Sequence, residues 1–231
     1  MVRTGIAFLV AALSLSWPGN MRDVSFRAQM NPIALAGSAG PMLHVSRYEV
    51  TVASWRQCFK DGGCSHLPVS PSTPDLLPVT GVNWFDVNEY LNWANARDGG
   101  GLRLPTLGEW RVIARTLAHE KPAPLFTDPR LAWAATYGQE ITQSGSPRVG
   151  GSYSTTPEGI SDLNGNVWEW TSSCAKSGFE AGLCPAYVAA GEHEALVSVF
   201  VRDPASGGCA TGTPPTHLGF RLVADGPEPS T

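Results

Sequence analysis

Apolar and polar positions along this chain organise into short elements separated by turn-rich stretches. Residues 20–42 are small, apolar and broken by proline, which suits an N-terminal arm or a first strand. Val45 to Val50 reads as a strand, after which Thr51 can cap a short helix through Phe59 with Trp55 on its buried face. Pro68 to Pro78 is loop. Asn83 is a good N-cap, Asp86 follows three residues later, and Phe85, Tyr90 and Trp93 are spaced for one helical face. That helix should end near Arg97, because Asp98 and three glycines follow. Thr106 to Glu109 has the Thr-x-x-Glu pattern of a capping box and predicts a helix through about Ala118. Glu109 is thereby a helix cap rather than a catalytic acid. From His119 to Thr156 the signal fades into Pro-, Gly- and Ser-rich loop, with Ala132 to Gly138 as a buried aromatic segment. Leu196 to Val201 and Gly219 to Val223 look like the last two strands, paired near the core.

One stretch fits neither period. Gly159-Ile160-Ser161-Asp162-Leu163-Asn164-Gly165-Asn166-Val167-Trp168-Glu169-Trp170 is too polar and too broken by Gly and Asn for an ordinary helix or strand. It is also too rich in Trp for an ordinary surface loop. Asp162 and Glu169 supply carboxylates, Asn164 and Asn166 supply amide oxygens, and Gly165 lets the backbone bend so that carbonyls can point inward. Hard cations such as calcium prefer that set of oxygens. The two tryptophans would anchor the loop on a core. A tight Asn-Gly turn leading into a buried aromatic strand accounts for the same residues without an ion.

Composition narrows the class. The 231 residues suffice for one domain with a real core. A net charge of -4 without a basic block leaves no electrostatic footprint for nucleic acid. Charged residues make up only 16%, against 25 Gly and 19 Pro, which predicts much irregular structure. Arg3, the apolar run Ile6 to Leu15 and the small residues around Ser14-Leu15-Ser16 and Pro18-Gly19 read as a secretory signal over residues 1–19. The rival readings are Met21 as the start and an uncleaved anchor, although the run is short for a membrane span. An arm over 20–43, a main domain over 44–225 and a flexible tail over 226–231 complete the expected organisation. Cys58 with Cys64, and Cys174 with Cys184, can close short disulfide loops in an oxidising compartment, other pairings remaining open. Cys209 is left over. The five histidines are scattered, and no nucleophile elbow, phosphate-cradling loop or HExxH motif is present.

Five blocks occur in a fixed order: Tyr48-Glu49-Val50-Thr51, Pro78-Val79-Thr80-Gly81-Val82-Asn83-Trp84, Arg103 to Trp110, Gly159 to Trp170, and His217-Leu218-Gly219-Phe220-Arg221-Leu222-Val223. Together they resemble the sulfatase-modifying-factor family, whose type member is the formylglycine-generating enzyme, from about His44 to Val223. The resemblance implies a single irregular α+β domain, low in regular secondary structure and distantly like the C-type lectin fold. It does not single out an activity, because the family includes oxidases, ergothioneine and siderophore tailoring enzymes, and members without known chemistry.

Carried over residue by residue, the family's calcium site falls on Asp162, Gly165, Val167 and Glu169, with Gly165 and Val167 acting through main-chain carbonyls. The family's other calcium site has no good match in the preceding stretch. Formylglycine-generating oxidases also hold copper(I) between two cysteine thiolates near the C-terminus, a pairing that suits a soft ion. The corresponding region here, Val201 to Ala210, lacks the family's Arg-Gly-Gly-Ser block and has only Cys209. Copper is therefore not expected. Cys209 is at most a weak catalytic candidate, as a free reactive thiol, and otherwise a further disulfide member or a buried inert residue. The ergothioneine branch needs a histidine cluster on a separate helical domain that this chain lacks.

Two functions follow from the resemblance. The first is a periplasmic or secreted accessory module without catalysis, holding a peptide or partner protein during maturation of another periplasmic enzyme. Relatives tied to copper nitrite reductase maturation and siderophore tailoring suggest it by analogy. The second is a divergent oxidoreductase acting on a thiol or peptide with oxygen.

Overall fold

A computed structural model describes residues 25–35, 42–117, 146–175, 184–192, 194–203 and 217–226. After a 3-10 turn at Arg27–Gln29, the described elements run in chain order: β1 (Met30–Ala34), β2 (Met42–Ser46), α1 (Val52–Lys60), α2 (Trp84–Asp98), β3 (Leu102–Arg103), α3 (Leu107–Ala114), β4 (Trp168–Cys174), β5 (Ala186–Ala190), β6 (Glu194–Ser198), β7 (Leu218–Gly219) and β8 (Val223–Asp225). They form two four-stranded sheets, ordered β1-β2-β8-β3 and β6-β5-β4-β7. The first is antiparallel throughout. In the second, β4 runs antiparallel to β5 and parallel to β7. The architecture is the expected irregular α+β domain. No helix among the described residues is long and apolar enough to cross a membrane.

The helix starts follow the capping chemistry of the sequence. Thr51 accepts a hydrogen bond from the Ser54 amide, and both Asn83 with Asp86 and Thr106 with Glu109 close reciprocal capping boxes. Gly99 ends α2 in the left-handed region. The buried face of α2 differs from the expected one: Val87, Tyr90 and Ala94 face inward, while Phe85 is 49% exposed and Trp93 only partly buried. Large aromatics at roughly helical spacing concealed the stripe of smaller residues that the core accepts. Helix α3 stops at Ala114, about a turn before the expected Ala118.

Strand bounds shift more. The expected strand Val45 to Val50 is Met42–Ser46, with Val50 instead bonded through its amide to the Phe220 carbonyl. The last segments do not pair with each other. Strand β6 pairs with β5, and the C-terminal block splits: Leu218–Gly219 joins β4, while Val223–Asp225 joins β2 and β3 in the other sheet. Between these two, Phe220, Arg221 and Leu222 cross the core fully or almost fully buried.

Two apolar clusters fill the interior. In one, Trp55 stacks on Tyr90 at 5.5 Å and meets Phe220 edge-on at 6.1 Å. In the other, Leu43, Val45 and Val223 of the first sheet pack with Trp110, Ile113, Ile160 and Leu163. Both expected disulfides are formed. Cys58–Cys64 closes the end of α1, and Cys174–Cys184 joins the end of β4 to the residues before β5. The 1–19 segment, residues 132–138, Cys209 and the tail beyond Gly226 lie outside the described residues.

Candidate functional site

The run from Gly159 folds as a chain of tight turns that delivers Trp168 into β4. The Gly159 amide bonds the Thr156 carbonyl, and the Gly165 amide bonds the Asp162 carbonyl. Asp162 and Asn166 both adopt left-handed backbone, with φ of 70° and 71°, a region that short polar side chains tolerate better than others. Gly165 is needed for a different reason from the expected bend. The Tyr153 ring lies so close that a Cβ would stand 2.4 Å from it. The tryptophans act as anchors: Trp170 donates through Nε1 to the Val82 carbonyl and is fully buried.

Four charged side chains are buried around this loop: Glu49, Asp162, Glu169 and Arg221. Arg221 is the hub. Its Nε and Nη2 clasp the Glu169 carboxylate, Nη2 also donates to the Ser161 carbonyl, and Nη1 donates to the Ser46 carbonyl on β2. One guanidinium thus ties both sheets to the loop. Glu169 additionally accepts from Trp110 Nε1 at 2.9 Å. Asp162 accepts from the amides of Gly151 and Tyr153. Burial opposes the charge of Arg221, but Glu169, Glu49 and Asp162 outweigh it and hold its pKa above the ordinary arginine value. Nothing in the sequence reading singled out Arg221. The signal was there, as a lone charge within the apolar run Leu218 to Val223.

Glu49 is the odd member. Its Oε1 accepts from Asn166 Nδ2 at 3.1 Å, while its buried Oε2 has no hydrogen-bond partner among the described residues. Burial pushes its carboxyl up to about 8, with Glu169 and Asp162 adding to the rise and Arg221 opposing it. Glu49 also lines a cleft of about 210 Å3 with Tyr48, Thr51, Leu76, Pro78, Val149 and Gly150.

The four residues expected to hold calcium meet this geometry unequally. Each oxygen of Asp162 already accepts one main-chain amide, from Tyr153 and from Gly151, which leaves it less open to a cation than a carboxylate without partners. Glu169 would have to share its carboxylate with Arg221 and Trp110. Gly165 and Val167 stand in the loop as expected. Among the described residues no donor reaches Asn164 Oδ1, which is buried, while its Nδ2 donates to Ser154 Oγ. Among the described residues no three His, Cys, Asp or Glu side chains converge as a metal cluster. Glu109 serves α3 as its cap and pairs with Arg103 through both oxygens, which together hold its carboxyl below the ordinary range despite partial burial.

Comparison with known proteins agrees with this fold. Residues 27–226 match the model of the "Sulfatase-modifying factor enzyme 1-like domain". The formylglycine-generating enzyme of Mycobacterium tuberculosis (strain ATCC 25618 / H37Rv) is 28% identical over 227 residues, covering 76% of this chain and 69% of that protein. Other curated relatives are covered over smaller shares of their length, from 13% to 38%. Among solved structures, that of PvdO from Pseudomonas aeruginosa aligns with a TM-score of 0.55 at 17% identity, covering 80% of each chain. Treponema denticola variable protein 1 aligns at 0.54 and 18% identity, covering 87% of this chain and 95% of its own. At these identities the structural likenesses speak for the fold alone.

Proposed function

The chain belongs to the sulfatase-modifying factor enzyme 1-like family, and from that premise we propose that it is an exported, non-catalytic accessory module that holds a peptide or partner protein during maturation of another protein. The observation that carries this reading is the fate of the cysteines. Of the five in the chain, four close two disulfides, and Cys209 alone remains. A site that holds copper(I) between two thiolates needs two, so the residues present do not fit that ion. The disulfides also support export, because such bonds persist in oxidising compartments, and the charged-then-apolar start of the chain agrees. The test is oxygen uptake by purified protein supplied with copper and a cysteine-bearing peptide. No turnover above the protein-free rate is expected. Thiol-dependent turnover abolished by Cys209→Ser would overturn the reading in favour of a divergent oxidoreductase.

Calcium belongs to the proposal in an altered form. Asn164 replaces Asp162 as the side-chain donor, beside the carbonyls of Gly165 and Val167 and a Glu169 shared with Arg221. Oxygen donors of this kind suit calcium, and the ion would staple a loop that has few ladder hydrogen bonds. Thermal unfolding in calcium and in chelator checks it. Wild type should melt higher in calcium, and Asn164→Ala should lose that increment. An Asp162→Asn protein that alone loses the increment would restore the first assignment, and no increment in wild type would remove calcium altogether.

A further inference from the structure

We propose that the cleft lined by Tyr48, Leu76, Pro78 and Val149 is a docking site for an acidic peptide segment of a partner protein. An aliphatic side chain of that segment enters the cleft, and its flanking carboxylates meet Arg47 and Arg148. The inference rests on the accessory-module reading above and names the chemistry that the module recognises.

The placement of charge carries it. Ten arginines lie among the described residues, and eight of them pair with a carboxylate. The two that make no ion pair among those residues are Arg47 and Arg148. Both stand beside this cleft, each directly preceding a lining residue, Tyr48 or Val149. Each also lies over a tyrosine: Arg47 Cζ is 5.1 Å from the Tyr48 ring centre, and Arg148 Cζ is 5.8 Å from that of Tyr153. A guanidinium over a ring spends its face on the aromatic and keeps its N–H edge for a planar anion. A carboxylate fits that fork with two parallel hydrogen bonds. Both arginines are exposed, so the donors are open to a ligand.

Glycines hold the two rings in place. A Cβ at Gly150 would stand 2.8 Å from Tyr48 Cδ1, and Gly165 stands in the same way against Tyr153. Rings packed against main chain keep the guanidinium supports in position before a ligand arrives, which lowers the ordering cost of binding. The cleft supplies the apolar half. Leu76 and Val149 are 62% and 44% exposed at its rim. Its volume of about 210 Å3 falls below the roughly 300 to 1,000 Å3 of pockets for drug-sized ligands, and suits one aliphatic side chain. The acids nearby do not oppose an acidic ligand. Glu49 is buried, and its carboxyl is pushed up to about 8, so it is largely uncharged at pH 7. Asp75, next to Leu76, is already paired with Arg56. A small dianion would use the arginines and leave the apolar rim uncovered, whereas a peptide covers both.

The site is tested by NMR titration of the isotope-labelled full protein at pH 7 and about 20 mM salt, where exposed charges are little screened. The probe is the acetylated and amidated pentapeptide Glu-Glu-Leu-Glu-Glu. A Gln-Gln-Leu-Gln-Gln peptide lacks the charge, a Glu-Glu-Ala-Glu-Glu peptide lacks the anchor, and glutarate is a small dicarboxylate without either context. Saturable binding of the acidic leucine peptide is expected, weakening as salt is raised. The glutamine peptide should not bind, and the alanine peptide and glutarate should each bind about tenfold more weakly. Arg47→Gln and Arg148→Gln should each weaken the leucine peptide by about three- to tenfold, and the double variant should show no saturable binding while its remaining spectrum stays that of the folded protein. Val149→Trp, which fills the cleft, should bring the leucine peptide down to the level of the alanine peptide. No saturable binding, binding unchanged in the double arginine variant, or an alanine peptide or glutarate that binds as tightly as the leucine peptide would overturn the site. Oxygen uptake reports on the accessory reading separately. Turnover there with peptide binding intact would sink that reading alone, and a silent titration without turnover would sink this site alone.

Discussion

Arg221 carries more of the fold than any other single side chain described. It is fully buried, and its guanidinium joins Glu169 on β4, Ser46 on β2 and Ser161 in the turn-rich loop. Removing it leaves Glu169 buried beside Glu49 and Asp162 with no countercharge. Arg221→Met should therefore cost about 3 to 5 kcal/mol in urea unfolding. Adding Glu169→Gln to that variant should recover part of the loss, because the orphaned charge disappears. Losses that simply add would show that the pair is not coupled. Glu49 makes a separate prediction, in calcium-free buffer. Its folded pKa of about 8 lies above the ordinary 4.5, so the folded state holds a proton that the unfolded chain has released. The folded state is thus most favoured below the ordinary value, and this contribution is lost progressively as pH rises to the folded value and beyond. Glu49→Gln should flatten the fall in stability between those limits, read as melting temperature against pH. An identical slope in wild type and variant would mean that Glu49 does not titrate there.

At the scale of elements, local chemistry was the most legible part of the sequence. The caps at Thr51, Asn83 and Thr106 could be read because each is a contact between residues three apart. The two disulfides were legible for a similar reason, each closing a loop of 6 or 10 residues. What failed was non-local. The split of the final block between two sheets depends on β4 and β2 being presented from far upstream, and no period in Leu218 to Val223 encodes it. The loop's oxygens were only partly legible for the same reason. Asp162 and Asn164 both offer oxygens in the sequence, but only the fold shows that the Gly151 and Tyr153 amides bond Asp162 and that Asn164 Oδ1 is buried. Loop-closure entropy puts each short disulfide at about 2 to 3 kcal/mol. Replacing the Cys58–Cys64 pair by alanines should lower stability by that order, and replacing Cys174–Cys184 slightly more, because its loop is longer. Equal or reversed losses in denaturant midpoint would mean that native packing, not loop closure, sets the contribution.

For the whole molecule, the family is settled by a match over residues 27–226, and the fold by two sheets held on one buried ion pair. Function rests on a narrower base. The relatives named as formylglycine-generating enzymes share the domain, but a shared fold hosts different chemistries and the site decides among them. Here the site combines a saturated Glu169–Arg221 pair, an orphaned acid beside a small apolar cleft, and a single cysteine outside the two disulfides. That combination supports recognition more than oxidation. The most direct test is a count of free thiols in denaturant, together with copper analysis, on mature protein from an exported fraction. One thiol per chain and no retained copper is the predicted result. Three or more thiols with stoichiometric copper would contradict it, since a disulfide would then be open and a two-thiolate oxidase site restored.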